Sequence, residues 1–473
     1  MLRHPRARNI NWAVVLIIVG ILCRFGLWLR VTQNPPLLIV GDGGGYEQIV
    51  RNVIEGNGYS MEVEPPYKVD MLRTPGYPLF ILGIYQIVGY RPEIVTLVQN
   101  ILSLVTLYVA YRLAVHLFGP KEALIATTLM AVDVGTIILM NVMLTETLFM
   151  ALFVPATYCL FIGLDSPHRW RWMAAAGALF GLATLVRPAA IFLPFLLLPF
   201  IWWAIRDLWL KRTIAVVLLL AAYLLFLSPW SYRNWRVFGS PNITLAAQSM
   251  TLNIHASYVR AGLNHTTLAE EEPLIPEEIR HELGERTISA AEMEQLIQTK
   301  AIAELKQHPG EYVLLYLKSM GLTLLLPNTN FLANILGVLD QPTGLIANMR
   351  ARSLSENIQA LSEFSRHYLA GSPDRTLFLI ATFTEILVVL VTLTLATVGI
   401  IVGLRNQHRV RVVLLLVIIA YFFVVTGPIG TGRYRLPTMP YLMMLAGYGF
   451  VQAQIWRHTR RAQKLPQSIG QSK

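Results

Sequence analysis

The sequence is poor in what a soluble or secreted protein is built from. Only 14% of its 473 residues are charged and only two are cysteines. Cys23 and Cys159 both fall within long apolar runs, so neither a disulfide framework nor a CxxC metal site is implied. No stretch has the composition of an ordinary soluble domain, and no low-complexity tract occurs apart from the polar tail after Arg457. Carboxylates are nearly missing from the apolar runs, which makes each acid beside one informative.

What the chain has is hydrophobic residues, 54% of the total, with a mean hydropathy of +0.51. That composition belongs to an all-α, polytopic transmembrane bundle. A helix needs roughly 20 residues to cross a hydrocarbon core of about 30 Å. The runs 12–30, 93–118, 122–140, 146–163, 172–187, 189–205, 213–230, 376–404, 412–428 and 437–455 meet that need, giving about 10–12 spans in all. The first run has a basic front (Arg3, Arg6, Arg8) but no small-residue cleavage site behind it, so it reads as a retained anchor.

The formal net charge of +11 resolves once charges are sorted by the side of the membrane they would occupy. The N-terminus, the links around Lys121, Arg169/Arg171, Arg206/Lys211/Arg212 and Arg405/Arg409/Arg411, Arg112 and the tail from Arg457 hold 18 Lys/Arg and 3 Asp/Glu (+15), leaving 21 and 25 (−4) elsewhere. This is the positive-inside distribution. It places both termini in the cytoplasm and the loops at Asp42, Glu146, 231–375 and Arg433 on the outer side of a plasma membrane. The basic total thus reports orientation, and no nucleic-acid partner is expected.

The expected organisation is a transmembrane core over 1–230 with a first outer loop at 31–92, a large outer loop over 231–375, C-terminal transmembrane helices over 376–456 and a basic cytoplasmic tail over 457–473. Within the first loop the apolar stretch 79–89 is too short to span and lies along the interface or re-enters. In the large loop, 276–308 reads as a solvated amphipathic helix pair. The apolar run 312–326 that follows would break the charge rule if it crossed alone. It is therefore interfacial, re-entrant or paired with a second crossing near 330–346.

Polar residues that solvation does not explain gather on the predicted outer side. Asp42, in Gly41-Asp42-Gly43-Gly44-Gly45-Tyr46, follows the first run together with Glu47; Lys68, Asp70 and Arg73 precede the second. Glu146 opens the fourth run, Arg187-Pro188 separates the fifth and sixth, Arg233-Asn234 follows Pro229-Trp230, and Arg433-Tyr434-Arg435 precedes Pro437. Ionisable groups at membrane depth face a cavity or a partner. Arginines beside a few carboxylates suit a site that grips a phosphate while an acid handles a proton. Structural roles are available to the same residues: an Asx-turn for Asp42, helix capping for Glu146, pairing with Asp70 for Arg73, and snorkelling to headgroups for Arg187, Arg433 and Arg435. His255, His281 and His308 show no ligand spacing. Asn242-Ile243-Thr244 and Asn264-His265-Thr266 match the glycosylation sequon.

In order and spacing, the Asp42 and Tyr46 loop, Arg73-Thr74-Pro75-Gly76-Tyr77-Pro78, Leu144-Thr145-Glu146, Leu185-Val186-Arg187-Pro188, Ser228-Pro229-Trp230 with Arg233-Asn234, and Arg433-Tyr434-Arg435-Leu436-Pro437 resemble the GT-C superfamily of membrane glycosyltransferases. Within it the chain is similar to the protein O-mannosyltransferases and the lipid A aminoarabinose transferase. The resemblance implies an inverting transferase that moves a sugar from a polyprenyl-phosphate donor to a lipid, glycan or protein hydroxyl on the outer face. It implies Asp42 as general base or acceptor-positioning acid, and Arg73, Arg187, Arg233, Arg433 and Arg435 as donor-phosphate ligands. Tyr46, Glu47, Lys68, Asp70, Glu146 and Tyr434 take supporting places. The pattern departs from the family at Gly43, where many members carry a second acid, and at Leu72, where lipid A transferases place an acid that helps bind metal. No cofactor is therefore firmly implied; a divalent metal would have to draw on Glu62, Glu64 or Asp70. A lipid-linked-sugar transporter or flippase and a surface-glycan polymerase are the other readings. A transporter of that kind is expected to show internal repeat symmetry, and no duplication is visible.

Overall fold

A computed structural model of the chain describes residues 8–244, 246–338 and 373–464, and among these no strand occurs. α1 (Arg8–Val31) leads into a first loop that holds α2 (Asp42–Glu55) and α3 (Gly76–Val88). Then come α4 (Pro92–Leu117), α5 (Pro120–Ala131), α6 (Val134–Leu139), α7 (Glu146–Asp165), α8 (Arg169–Val186), α9 (Leu193–Ala204) and α10 (Trp209–Phe238). The large loop carries α11 (Ala246–Asn264), α12 (Leu268–Glu271), α13 (Leu274–Leu283), α14 (Ala290–Gln307), α15 (Pro309–Leu325) and α16 (Thr329–Leu336). α17 (Pro373–Leu404), α18 (Arg409–Thr426) and α19 (Met439–Lys464) follow.

Six of these helices, α1, α4, α7, α10, α17 and α18, are long and apolar enough to cross a membrane. The chain is an all-α polytopic membrane protein. The expected span at 122–140 is broken in two: α5 stops at Ala131, and Asp133 starts α6 by accepting the Thr136 N–H at 3.1 Å. The break leaves the Met130 and Ala131 carbonyls without helical partners. Arg24, buried in the middle of α1, donates to both. The expected span at 189–205 becomes a 3₁₀ turn, Pro188–Ala190, and the 12-residue α9, with Pro199 inside it. Proline supplies no N–H to continue a helix.

Close helix contacts are made where side chains are missing. A Cβ on Gly399 of α17 would stand 2.1 Å from the Leu445 carbonyl of α19, and one on Gly449 would stand 2.0 Å from the Leu395 carbonyl. In lipid, where apolar burial gives little drive, such backbone approach is what packing rests on. The core beneath the loops is aromatic: Phe153 of α7 packs against Phe180, Phe422 and Tyr441 at centroid separations of 5.5, 5.2 and 6.1 Å. The large-loop helices α11, α13 and α14 share a small core of their own around Ala256, Ile275 and Ala301. α15 is 17 residues long and is joined to α16 by an elbow at 326–328. Of the possible second crossing near 330–346, the described part is α16, only eight residues long and ended by Gly337; the remainder of that run, the rest of the 339–372 segment, and the termini before Arg8 and after Lys464 lie outside the described residues.

The helix ends form two chemically different rims. At one, the ends of α4, α7 and α18 meet in an Asp165 pair with His116 (3.0 Å) and Arg411 (2.9 Å), and Asp207 pairs with Arg169 (3.1 Å) nearby in the chain. This rim carries the cationic links counted in the sequence. At the other rim, residues from five separate stretches converge.

Candidate active site

Asp42 is the first residue of α2, following Gly41 at φ +54°. Glu146 is the first residue of α7. Each carboxylate thus sits at a helix N-terminus, where unpaired N–H groups favour negative charge. Arg187 ends α8, and the proline behind it holds it extended at φ −137°, ψ 110°, which turns the chain off the helix. Arg433 lies in the 3₁₀ segment Gly432–Thr438 that links α18 to α19.

These elements bring two acids and three arginines together. The Asp42 carboxylate accepts from Arg433 at 2.8 Å and lies 3.6 Å from Arg73. The Glu146 carboxylate bridges Arg433 and Arg187, and Arg187 also reaches the Thr145 hydroxyl at 3.4 Å. Arg73 stacks over the Tyr46 ring at 4.3 Å, and Tyr46 packs edge-on against Tyr77. Tyr434 lies 5.7 Å from Arg187. Glu146 is 1% exposed, while Asp42 is 47% exposed. One acid is a buried strut between two cations; the other faces outward. Three guanidiniums against two carboxylates leave a local charge of +1, which suits an incoming anion.

The glycine run fits this arrangement tightly. A Cβ on Gly43 would stand 2.7 Å from the Met143 carbonyl, and one on Gly45 2.8 Å from the Arg73 guanidinium. The Gly45 neighbour is the end of a flexible side chain, so Gly45→Ala is expected to leave the fold standing and to push Arg73 off Tyr46. Affinity for an anionic ligand should fall about tenfold with little change in thermal stability, measured side by side on the purified protein.

Burial alone would raise the Asp42 carboxyl, but the charge and hydrogen bond of Arg433, then the charge of Arg73, more than offset it and hold Asp42 below the ordinary carboxylate range. Burial would lower Arg433, yet the Glu146 and Asp42 charges hold it above its usual value, so it stays cationic. Burial raises the Tyr46 phenol and keeps it a neutral hydrogen-bonding group. Asp70 is pushed up by burial, opposed by the Arg73 N–H that it accepts at 2.6 Å.

The other candidates stand apart from the cluster. Arg73 does not pair through its side chain with Asp70, and Asp42 makes no capping bond to its own helix. Glu47 is turned to Arg51, four residues on. Arg233 lies among Trp230 (4.5 Å), Phe238 and Tyr59, bonded to Asn234. Lys68 is exposed and takes no part in these contacts. Arg435, two residues from Arg433, is fully buried against Glu385 of α17 and the Leu326 carbonyl. Glu62 and Glu64 are exposed, and among the described residues no three His, Cys, Asp or Glu side chains converge on a point that could hold a metal ion. Glu385, Asp133 and Arg24 were not singled out from sequence. The available signal was that each is a lone ionisable residue inside or beside an apolar run.

Residues 72–232 match the family model described as dolichyl-phosphate-mannose-protein mannosyltransferase; that segment includes Arg73, Glu146 and Arg187 but neither Asp42 nor Arg433. No curated protein matches the chain in sequence. Among solved structures, the archaeal oligosaccharyltransferase AglB from Archaeoglobus fulgidus, in complex with an inhibitory peptide and a dolichol-phosphate, aligns with a TM-score of 0.53 at 15% identity, over 98% of this chain and 52% of that one. The A. fulgidus oligosaccharyltransferase tethered to an acceptor peptide aligns with a TM-score of 0.51 at 13% identity, over 96% and 51%. ArnT from Cupriavidus metallidurans, bound to undecaprenyl phosphate, aligns with a TM-score of 0.39 at 15% identity, over 98% and 82%. The chain spans about half the length of the archaeal enzymes it matches. The fold of this chain is thus similar, over nearly its whole length, to that of about half of each of these archaeal oligosaccharyltransferase structures.

Proposed function

We propose that the protein is an inverting glycosyltransferase that moves a sugar from a polyprenyl-phosphate donor to a hydroxyl of a lipid, glycan or protein, at the outer face of the membrane. The observation that carries this reading is the cationic cluster of Arg73, Arg187 and Arg433 around the half-exposed Asp42. The charge partition of the loops supports the outer placement, and the family match over 72–232 supports the donor class.

The acceptor oxygen attacks the anomeric carbon as the bond from that carbon to the phosphate oxygen breaks. The departing phosphate gains negative charge, which Arg433, Arg73 and Arg187 stabilise with donors already in place. The acceptor proton passes to Asp42 and then to solvent, to which that side chain is open. A carboxylate held below its usual range is a weak base, so its first task is to orient the hydroxyl. Donor phosphate draws on the same guanidiniums that depress Asp42, and its arrival makes Asp42 more basic when a proton must be taken. Glu146 keeps Arg187 and Arg433 side by side before the donor arrives.

Two outcomes follow. Undecaprenyl phosphate should bind the purified protein, and Arg433→Gln should weaken that binding about tenfold or more, as expected for loss of a charge-assisted phosphate contact; equal binding by both proteins refutes the phosphate role. In the pH–rate profile, the acid limb of kcat/KM reports the free enzyme, and Arg433 places it below the ordinary Asp value of about 3.9. The limb of kcat, which reports the donor complex, should lie at higher pH. Arg433→Gln should raise the kcat/KM limb, since burial and the Glu146 charge then act on Asp42 against Arg73 alone.

A further inference from the structure

Arg433 is fixed at its functional end by Asp42 and Glu146, but the segment that carries it is anchored elsewhere. Two residues on, Arg435 runs the opposite way into the bundle and meets Glu385, the single carboxylate of the apolar helix α17 beyond its first turn. The pair is 1% and 0% exposed. Glu385 also accepts the Asn328 backbone N–H, 2.9 Å from each carboxylate oxygen, and the Asn328 side-chain amide at 3.0 Å. Arg435 donates to the Leu326 carbonyl. The 3₁₀ segment is pressed onto the same place: a Cβ on Gly432 would stand 2.1 Å from that Leu326 carbonyl. One buried carboxylate therefore ties three elements together, namely α17, the elbow at 326–328 where α15 ends, and the backbone that presents Arg433. Farther back, α15 holds the approach to that backbone through Ser319, whose hydroxyl donates to the Pro428 carbonyl at 2.8 Å.

We infer that Glu385 is a positioning residue for Arg433, acting through Arg435, and that the elbow behind α15 shares this anchor, so that a shift of the elbow is felt at Arg433. A buried ion pair between charges so far from solvent contributes little net stability compared with apolar residues of similar volume. What it supplies here is direction. A 3₁₀ turn has three residues per turn, so positions two apart point to different sides. Fixing Arg435 inward sets Arg433 toward Asp42 and Glu146.

The inference rests on the phosphate-binding reading of Arg433 for one of its two tests and not for the other. Glu385→Gln alone leaves Arg435 buried without its counter-charge and is liable to unfold, so the deciding variant is Glu385→Gln with Arg435→Met, which removes both charges. In this variant the unfolding midpoint should stay near that of the native protein, while undecaprenyl phosphate binds about tenfold more weakly and a further Arg433→Gln change costs nothing more. Native affinity in the double variant, or the full cost of Arg433→Gln on top of it, overturns the inference. If the native protein and Arg433→Gln bind undecaprenyl phosphate equally, the functional reading fails and the second test decides. That test is the coupling between Asp42→Asn and Arg433→Gln in the unfolding midpoint. It should be present in the native background and lost in the double variant; coupling that persists unchanged overturns the positioning role.

Discussion

Asp42→Asn should abolish sugar transfer, lowering kcat by about 10³-fold, the range in which positioned bases act, while donor binding stays within a few-fold. The amide keeps the size of the side chain and can still accept a bond from Arg433, so the rim remains assembled. What it loses is the charge that orients an acceptor hydroxyl and takes its proton. Because Asp42 is half-exposed and is one of two acids holding Arg433, its neutralisation should shift the unfolding midpoint measurably but far less than loss of Glu146, by the amount its pairing with Arg433 contributes. The informative comparison is therefore kcat against donor affinity: loss of both together would make Asp42 part of the donor site, and retained turnover would remove it from the chemistry.

The opposite balance is expected at Glu146. Glu146→Gln leaves Arg187 and Arg433, each about one-eighth exposed, without the carboxylate that bridges them. Breaking a buried pair by removing one partner costs about 3–5 kcal/mol, and here one carboxylate serves two cations. The variant should unfold at a clearly lower temperature or denaturant concentration than the native protein. Undecaprenyl phosphate should restore part of the loss, because it supplies the missing negative charge and a ligand that binds only the folded state stabilises it by mass action. A variant as stable as the native chain would contradict the role of Glu146 as a strut.

The sequence exposed this rim for identifiable physical reasons. Asp42, Glu146, Arg187 and Arg433 are ionisable residues at the ends of apolar runs, all but Glu146 next to glycine or proline, and the asymmetry of Lys and Arg assigned them to one side. Local order alone could not tell which way neighbouring side chains point. Glu47 is five residues from Asp42 but lies on another face of α2, where Arg51 is one turn away. Arg435 is two residues from Arg433 but in a 3₁₀ turn, and so faces Glu385 instead of the rim. The broken helix at 122–140 was hidden because its apolar composition is continuous; what permits the break is Arg24, about a hundred positions earlier in the chain, donating to the freed carbonyls. Glu385 is the only carboxylate in its helix beyond the first turn, and that isolation is the one mark the sequence gives of its role.

The most direct test of the account is the fate of a labelled donor. Purified protein in liposomes is given a polyprenyl-phosphate hexose radiolabelled in the sugar, with crude membrane lipids and glycans as acceptors, and free polyprenyl phosphate is followed by chromatography. The account predicts release of polyprenyl phosphate matched by label in acceptor, dependent on acceptor and absent in Asp42→Asn. Donor recovered intact, whether left in place or moved across the bilayer, would contradict it.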